Sequence, residues 1–136
     1  MRSDDCLRIA ELSDQLGYPS SAEEIRTRMN ELARDKANCT FVAVIDKQVI
    51  GWIHAWYALR IESAPFVEIG GLVVDENFRG RYIGEKLVTV VTNWALMKGV
   101  KTLRVRSNIK RVAAHQFYQH IGFQEIKEQK VFILNL

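Results

Sequence analysis

The chain has 136 residues, enough for one hydrophobic core and too few for a second, so one domain over residues 1–136 is expected. Hydrophobic residues at 48% and charged ones at 26% exclude a disordered or collagen-like chain. The 19 basic residues are spread along the chain against 16 acidic ones, so the net charge of +3 fits a local need for phosphate, and no nucleic-acid partner is expected.

Leu7, Ala10, Leu12 and Leu16 recur among polar neighbours, which predicts a helix over residues 3–16 ended by Gly17 and the Tyr18-Pro19 turn. Ser20 and Ser21 each have a Glu three positions on, the pattern of a helix start, and Ile25, Met29, Leu32 and Ala33 carry a second helix over residues 21–35. The β-rich run 41–45, a turn at 46–48 and the aromatic-rich run 49–60 predict a hairpin. A polar, Pro-containing turn at 62–65 leads into a third antiparallel strand, in which Gly70-Gly71 marks a bulge or the close approach of a ligand to the backbone.

That strand breaks at Asp75-Glu76-Asn77, and after Gly84 a helix carries Leu87, Val88, Val91, Trp94 and Ala95 on one face and stops at Lys98-Gly99. A half-buried strand at 103–106, a helix at 111–121 closed by Gly122, and two strands at 123–128 and 131–136 complete the expected order. The crossover helix makes the following strand parallel to the one before it. The expected architecture is therefore α/β (α+β), a mixed and mostly antiparallel central sheet flanked by about four helices.

No apolar run approaches the ~18 residues of a membrane span, and the first residues are charged, so a cytoplasmic protein with no membrane partner is expected. Cys6 and Cys39 are single and far apart, which suits buried reduced thiols and neither a disulfide framework nor a metal site. His115 and His120 stand five apart, off the four-residue spacing that aligns metal ligands on a helix. His54, between Trp52 and Trp56 on one strand face, is expected to pack rather than to line an acceptor pocket.

Residues 67–84 run from strand through loop to helix start, where unpaired amides and the helix dipole favour negative charge, and Arg79 and Arg81 flank the spot. A phosphate-binding loop of the NTPase kind is excluded because Glu85 and Leu87 surround Lys86, and a dinucleotide fingerprint because Tyr82 follows Gly80 by two. The turn resembles the acetyl-CoA pyrophosphate loop of the GNAT superfamily of N-acetyltransferases: Arg or Gln, two residues, Gly, one residue, then Gly or Ala. Arg79 opens it, Gly80 and Arg81 fill the gap, Ile83 precedes the closing Gly84, and Tyr82 replaces the inner Gly. The loop amides can still face a pyrophosphate if Tyr82 has an ordinary negative φ, whereas a positive φ, with the Cβ narrowing the approach, would weaken CoA binding. A second block, Asn108, Arg111, Ala113, Ala114, Phe117-Tyr118 and Gly122-Phe123, is similar to the family's spacing after the same strand.

The resemblance implies a GNAT-like fold with a strand splay at the acyl-CoA site, acetyl-CoA as acyl donor, and no metal. It places the thioester and pantetheine beside Leu72, Val73 and Val74, and the pyrophosphate on Arg79, Gly80, Arg81, Tyr82, Ile83, Gly84 and Glu85. Asn108 would bond the pantetheine, with a helix-cap or turn role as the alternative. Glu68 would take the proton of the amine, with an ion pair to Arg60 or to an arginine of the neighbouring strand as the alternative. Tyr118 would bond the CoA sulfur and protonate the thiolate, the alternative being a core aromatic beside Phe117. This mechanism requires Glu68 and Tyr118 to converge on one cleft.

The expected activity is direct transfer of acetyl to a primary amine of a small molecule in a ternary complex, drawn in by Glu11, Asp14, Glu23, Glu31 and Glu62 unless these are solvated helix faces. A non-catalytic acyl-CoA-binding or regulatory module and a protein N-terminal or lysine acetyltransferase are the other readings. Homodimerisation is common in the family, and a homodimer is compatible with these residues.

Overall fold

The computed structural model describes all residues, Met1–Leu136. They form two compact units, Met1–Val105 and Arg106–Leu136, each taken by itself.

In the first unit, a 3-10 turn at Ser3–Asp5 precedes helix α1, Cys6–Leu16, so the expected helix begins one turn late. The Asp5 carboxylate accepts the Arg2 amide at 2.7 Å. Gly17 at φ +94° ends α1 in the left-handed conformation that a residue without a Cβ takes most easily. Helix α2, Ala22–Arg34, starts with the expected reciprocal cap, and Ser21 is its first residue outside the helix. The Ser21 hydroxyl accepts the Glu24 amide at 3.1 Å and the Glu24 carboxylate accepts the Ser21 amide at 2.9 Å. Such a cap stabilises by about 1 kcal/mol.

The sheet has the order β1-β2-β3-β4, with β1 at Asn38–Ile45, β2 at Gln48–Ala58, β3 at Phe66–Val74 and β4 at Leu103–Val105. The first two pairings are antiparallel and β3 pairs with β4 in parallel, the crossover being helix α3, Ile83–Met97. The hairpin turn is two residues rather than three. Asp46 and Lys47 both take positive φ, the twist that matches paired strands, and Gln48 already belongs to β2.

The two faces of the sheet are covered by different helices. Ile9 and Ala10 of α1 with Ile25 of α2 form a buried cluster against which Trp52 and Val42 pack, and Leu12 packs with Val49 and Val73. On the other face, a Cβ placed on Gly51 would lie 3.4 Å from Leu87 of α3. No helix is long and apolar enough to cross a membrane.

In the second unit, helix α4 spans Val112–His120 and ends at Gly122, φ +109°. The expected strands at 123–128 and 131–136 are absent: residues 123–136 form neither helix nor strand, and Val131, Phe132, Ile133 and Leu134 are exposed. Their apolar, β-branched composition expresses a preference only, and a strand exists by pairing with a neighbour.

Candidate active site

Strand β3 carries an extra residue. Ile69 pairs with Ala55 and Gly71 with His54, so Gly70 is left opposite no partner, which is a β-bulge. The bulge changes which side chains share a face. Glu68 stands opposite Trp56 and Val73 opposite Trp52, and Trp52, His54 and Trp56 alternate onto one face of β2. Glu68 and Val73 are an odd number apart, and the extra residue is what turns both toward the face covered by α1. Glu68 is 3% exposed, so a carboxylate is held within that side of the sheet.

The glycines of the bulge have a packing cause. A Cβ on Gly70 would stand 2.2 Å from Cζ3 of Trp56, and one on Gly71 would stand 2.7 Å from ring atoms of Trp52. The break in the strand is thus required by two indoles of β2, and the expected approach of a ligand is not needed to explain it. His54 packs as expected: its ring lies 5.5 Å from that of Trp56, and Nε2–H donates to Asn38 Oδ1 at 2.8 Å. Burial pushes its pKa below the ordinary imidazole value.

Beyond the bulge the strands part. β3 pairs with β4 only at Val67, Glu68 and Ile69, so no strand of the sheet pairs with residues 70–74 on that edge. Backbone donors and acceptors of Leu72, Val73 and Val74 on that edge suit an extended amide-bearing ligand laid alongside. The side chain of Val73, by contrast, is buried against Leu12.

Arg104 of β4 is the register partner of Glu68, so the neighbouring-strand arginine of the alternative reading is present. Its guanidinium carbon also lies 4.5 Å from the centre of the Phe66 ring, with that of Arg60 at 5.1 Å from the same ring. Arg60 Nη1 is 4.0 Å from Glu62, an exposed pair of small energetic weight.

After β3 the chain makes a 3-10 turn, Glu76–Phe78, capped by Asp75, whose Oδ1 accepts the Asn77 amide at 3.0 Å. Arg79 Nε donates to the Val74 carbonyl at 3.3 Å and the Arg81 guanidinium lies 5.2 Å over Phe78. Gly80 takes φ +80° and Tyr82 takes φ 62°, ψ 18°, so the residue in the inner glycine position is left-handed as a glycine would be. Tyr82 thus takes the positive φ expected to weaken CoA binding, at a strain of about 1 kcal/mol or more, and its Cβ narrows the approach of a ligand. The Tyr82 side chain is 71% exposed, so no packing enforces this conformation on the ring. The first α3 bond runs from the Lys86 amide to the Tyr82 carbonyl at 3.0 Å. The helix therefore supplies no acceptor for the amides of Ile83, Gly84 and Glu85, which with the helix dipole suit an anionic group.

Asp75 was legible only as part of a polar break, and Arg8 not at all. Arg8 of α1 donates from Nε to the Val49 carbonyl at 2.8 Å, from Nη1 to Glu11 at 3.0 Å, and from Nη2 to Asp75. The Asn77 amide first, with Arg8 and Gln15 adding to it and burial working against it, holds the Asp75 carboxyl below the usual carboxylate range. The signal available in sequence was Asp two residues before Asn77, a cap pattern. No spacing rule connects it to residue 8.

In the second unit, Asn108 takes the turn role: its Oδ1 accepts the Lys110 amide at 2.9 Å, and its carbonyl accepts from the Arg111 amide and from His115 Nε2–H. Tyr118 packs edge-on against Phe117 at 5.1 Å and Phe123 at 5.4 Å. Burial raises the Tyr118 phenol above its ordinary pKa, with Arg111 acting the other way, so the hydroxyl stays protonated at neutral pH.

Residues 5–123 match the model of the acetyltransferase (GNAT) family. The chain belongs to the GNAT family. Among curated GNAT relatives, it is 26% identical to the N-acetylaspartate synthetase of Xenopus tropicalis over 75% of this chain and 38% of that protein. It is 27% identical to the aminoglycoside N(6')-acetyltransferase type 1 of Salmonella typhimurium over 63% of this chain and 62% of that protein. The chain thus spans well under half of the first of these. Among solved structures, it resembles the aminoglycoside 6'-N-acetyltransferase AAC(6')-Ih of Acinetobacter baumannii, TM-score 0.88 at 19% identity, covering 100% of this chain and 95% of that one. It also resembles AAC(6')-Iy in complex with the bisubstrate analog CoA-S-monomethyl-acetylneamine, TM-score 0.87 at 20% identity, covering 100% and 95%. At such identities the likeness is one of GNAT fold.

Proposed function

We propose that this chain transfers the acetyl group of acetyl-CoA to a primary amine of a small molecule by direct attack in a ternary complex. The observation that carries it is the left-handed turn through Gly80 and Tyr82, which keeps the α3 amides available to a pyrophosphate. The unpaired edge of β3 at 70–74 supports the pantetheine lying along Leu72, Val73 and Val74. Arg79, Gly80, Arg81, Tyr82, Ile83, Gly84 and Glu85 cradle the pyrophosphate.

The chemistry requires a neutral amine, a donor for the developing oxyanion and a proton for the leaving thiolate. In this reading Glu68 takes the amine proton, directly or through water, as the amine nitrogen attacks the thioester carbon. A β3 amide faces the oxyanion, the carbon–sulfur bond breaks as the tetrahedral intermediate collapses, and the Tyr118 hydroxyl protonates the sulfur. Asn108, engaged in its own turn, orders the backbone leading to α4.

A small amine as acceptor is supported by the relatives' names, which include an aminoglycoside N(6')-acetyltransferase and N-acetylaspartate synthetases. The positive φ of Tyr82 bears on how well the loop receives the donor and does not separate an enzyme from a non-catalytic acyl-CoA-binding module, which turnover decides. A thiol-release assay with acetyl-CoA over an aminoglycoside, L-aspartate and a lysine-containing peptide tests this. Turnover on a small amine, reduced about 100-fold or more in kcat by Glu68→Gln and less by Tyr118→Phe, is expected. Tight CoA binding without turnover on any amine identifies the module instead, and turnover on the peptide alone a protein acetyltransferase.

A further inference from the structure

The loop that follows β3 is fastened by side chains from α1. Arg8 is the chief of these: its guanidinium bonds the Val49 carbonyl, Glu11 and Asp75, with the Arg8 side chain 21% exposed and that of Asp75 6%. Two turns further along the same helix, Gln15 Oε1 accepts the Glu76 amide at 3.1 Å. Asp75 is held from two more sides, donating its own amide to the Ile50 carbonyl at 2.8 Å and accepting the Asn77 amide. Residues 75 and 76, the first two after the strand, are thus tied to α1 and to β2 before the loop turns.

A guanidinium bonds in a planar fork at fixed angles, so a carboxylate it holds together with a backbone carbonyl has one position and one orientation. Charges taken out of water are costly, and a buried pair adds little net stability over an apolar contact of the same size. What the pair does supply is geometry at the root of the loop. Arg79 closes the same stretch onto the Val74 carbonyl, one residue before Asp75, so the loop returns to the place that Arg8 defines.

We propose that Arg8 is a positioning residue for the acyl donor: by fixing Asp75 it holds residues 76–82 in the shape that receives the pyrophosphate, and Gln15 assists it through Glu76. This rests on the loop being the acetyl-CoA cradle. All three guanidinium nitrogens of Arg8 bond protein partners, so its loss weakens donor binding and leaves the chemical step alone.

The experiment compares wild type with Arg8→Met, Arg8→Lys and Gln15→Ala. It reads acetyl-CoA Kd by calorimetry, steady-state constants for donor and acceptor, and amide hydrogen exchange over residues 76–82 without ligand. Arg8→Met is expected to raise Kd and KM for acetyl-CoA about tenfold, the loss of one charged hydrogen bond, while kcat and the acceptor KM change less than about twofold. Exchange at 76–82 should quicken in the same variant. Arg8→Lys, which keeps the charge without the fork, should recover part of both, and Gln15→Ala, which removes only the tie to Glu76, should shift both in the same direction as Arg8→Met and by less. Unchanged exchange and unchanged acetyl-CoA Kd in Arg8→Met overturn the proposal, and so does a loss shared equally by kcat, both KM values and thermal stability. Should Arg8→Met fail to fold, Gln15→Ala and Arg8→Lys carry the same readouts. If the wild type binds no acetyl-CoA, the donor reading of the loop fails, and the exchange data still decide whether Arg8 shapes the loop.

Discussion

Two short stretches of this chain carry paired glycines a few residues apart, Gly70-Gly71 in β3 and Gly80 to Gly84 at the mouth of α3, and they exist for different reasons. At the bulge, neither glycine needs a special backbone angle. The bulge aims both toward the face where the rings of Trp56 and Trp52 stand, and any Cβ would collide with them. At the loop the space around Gly80 is open, and the demand is on the backbone, φ +80° at Gly80 and +62° at Tyr82. One stretch is a steric consequence of neighbours on another strand. The other is a local conformation that a tyrosine can adopt at a cost.

Because the causes differ, substitutions should separate them. The largest expected effect is at the bulge. Gly70→Ala should destabilise by about 2 kcal/mol in chemical denaturation, as overpacking does. Combined with Trp56→Leu, it should show strong non-additivity, since the smaller side chain makes room for the Cβ. Additive losses would mean that the backbone and not the indole sets the requirement. At the loop, Tyr82→Val should cost about 1 to 2 kcal/mol because a β-branched residue resists positive φ, whereas Tyr82→Asn should be near neutral. Equal effects of Val and Asn would show that the left-handed turn is not populated in solution.

The smallest effect is a dependence on pH at His54, which stands opposite Gly71 across the bulge. Its folded pKa is lowered by burial, so below the ordinary value of 6.5 the unfolded chain binds more protons than the folded one. Stability should therefore fall as pH drops from that value, and His54→Gln should flatten this part of the profile. Cys39, whose thiol burial pushes up to about 11, should stay unreactive toward thiol reagents at neutral pH and contribute nothing in the same range.

Much of the fold was readable because its cues are local. The Ser21–Glu24 cap, the stop at Gly17 and the apolar face of α3 follow from contacts within a few residues. The loop was readable for the same reason. What was hidden depends on distant partners: the indoles behind Gly70-Gly71, the pairing of Arg8 with Asp75 across 67 positions, and the face on which Glu68 lies, which the bulge reverses. The two terminal strands were over-read, because apolar β-branched residues such as Val131 and Ile133 state a preference and pairing decides. The turn bond from the Lys110 amide to Asn108 Oδ1 also needed coordinates, since a turn and a ligand both suit that residue.

The loop from Arg79 to Glu85 is proposed to receive the pyrophosphate of acetyl-CoA. Adding CoA to isotopically labelled protein and following backbone amide resonances tests it most directly. Saturable shifts are expected, largest at Gly80, Ile83, Gly84 and Glu85, with a second set along Leu72 to Val74. Binding that leaves those amides unmoved, or no binding at all, would contradict it.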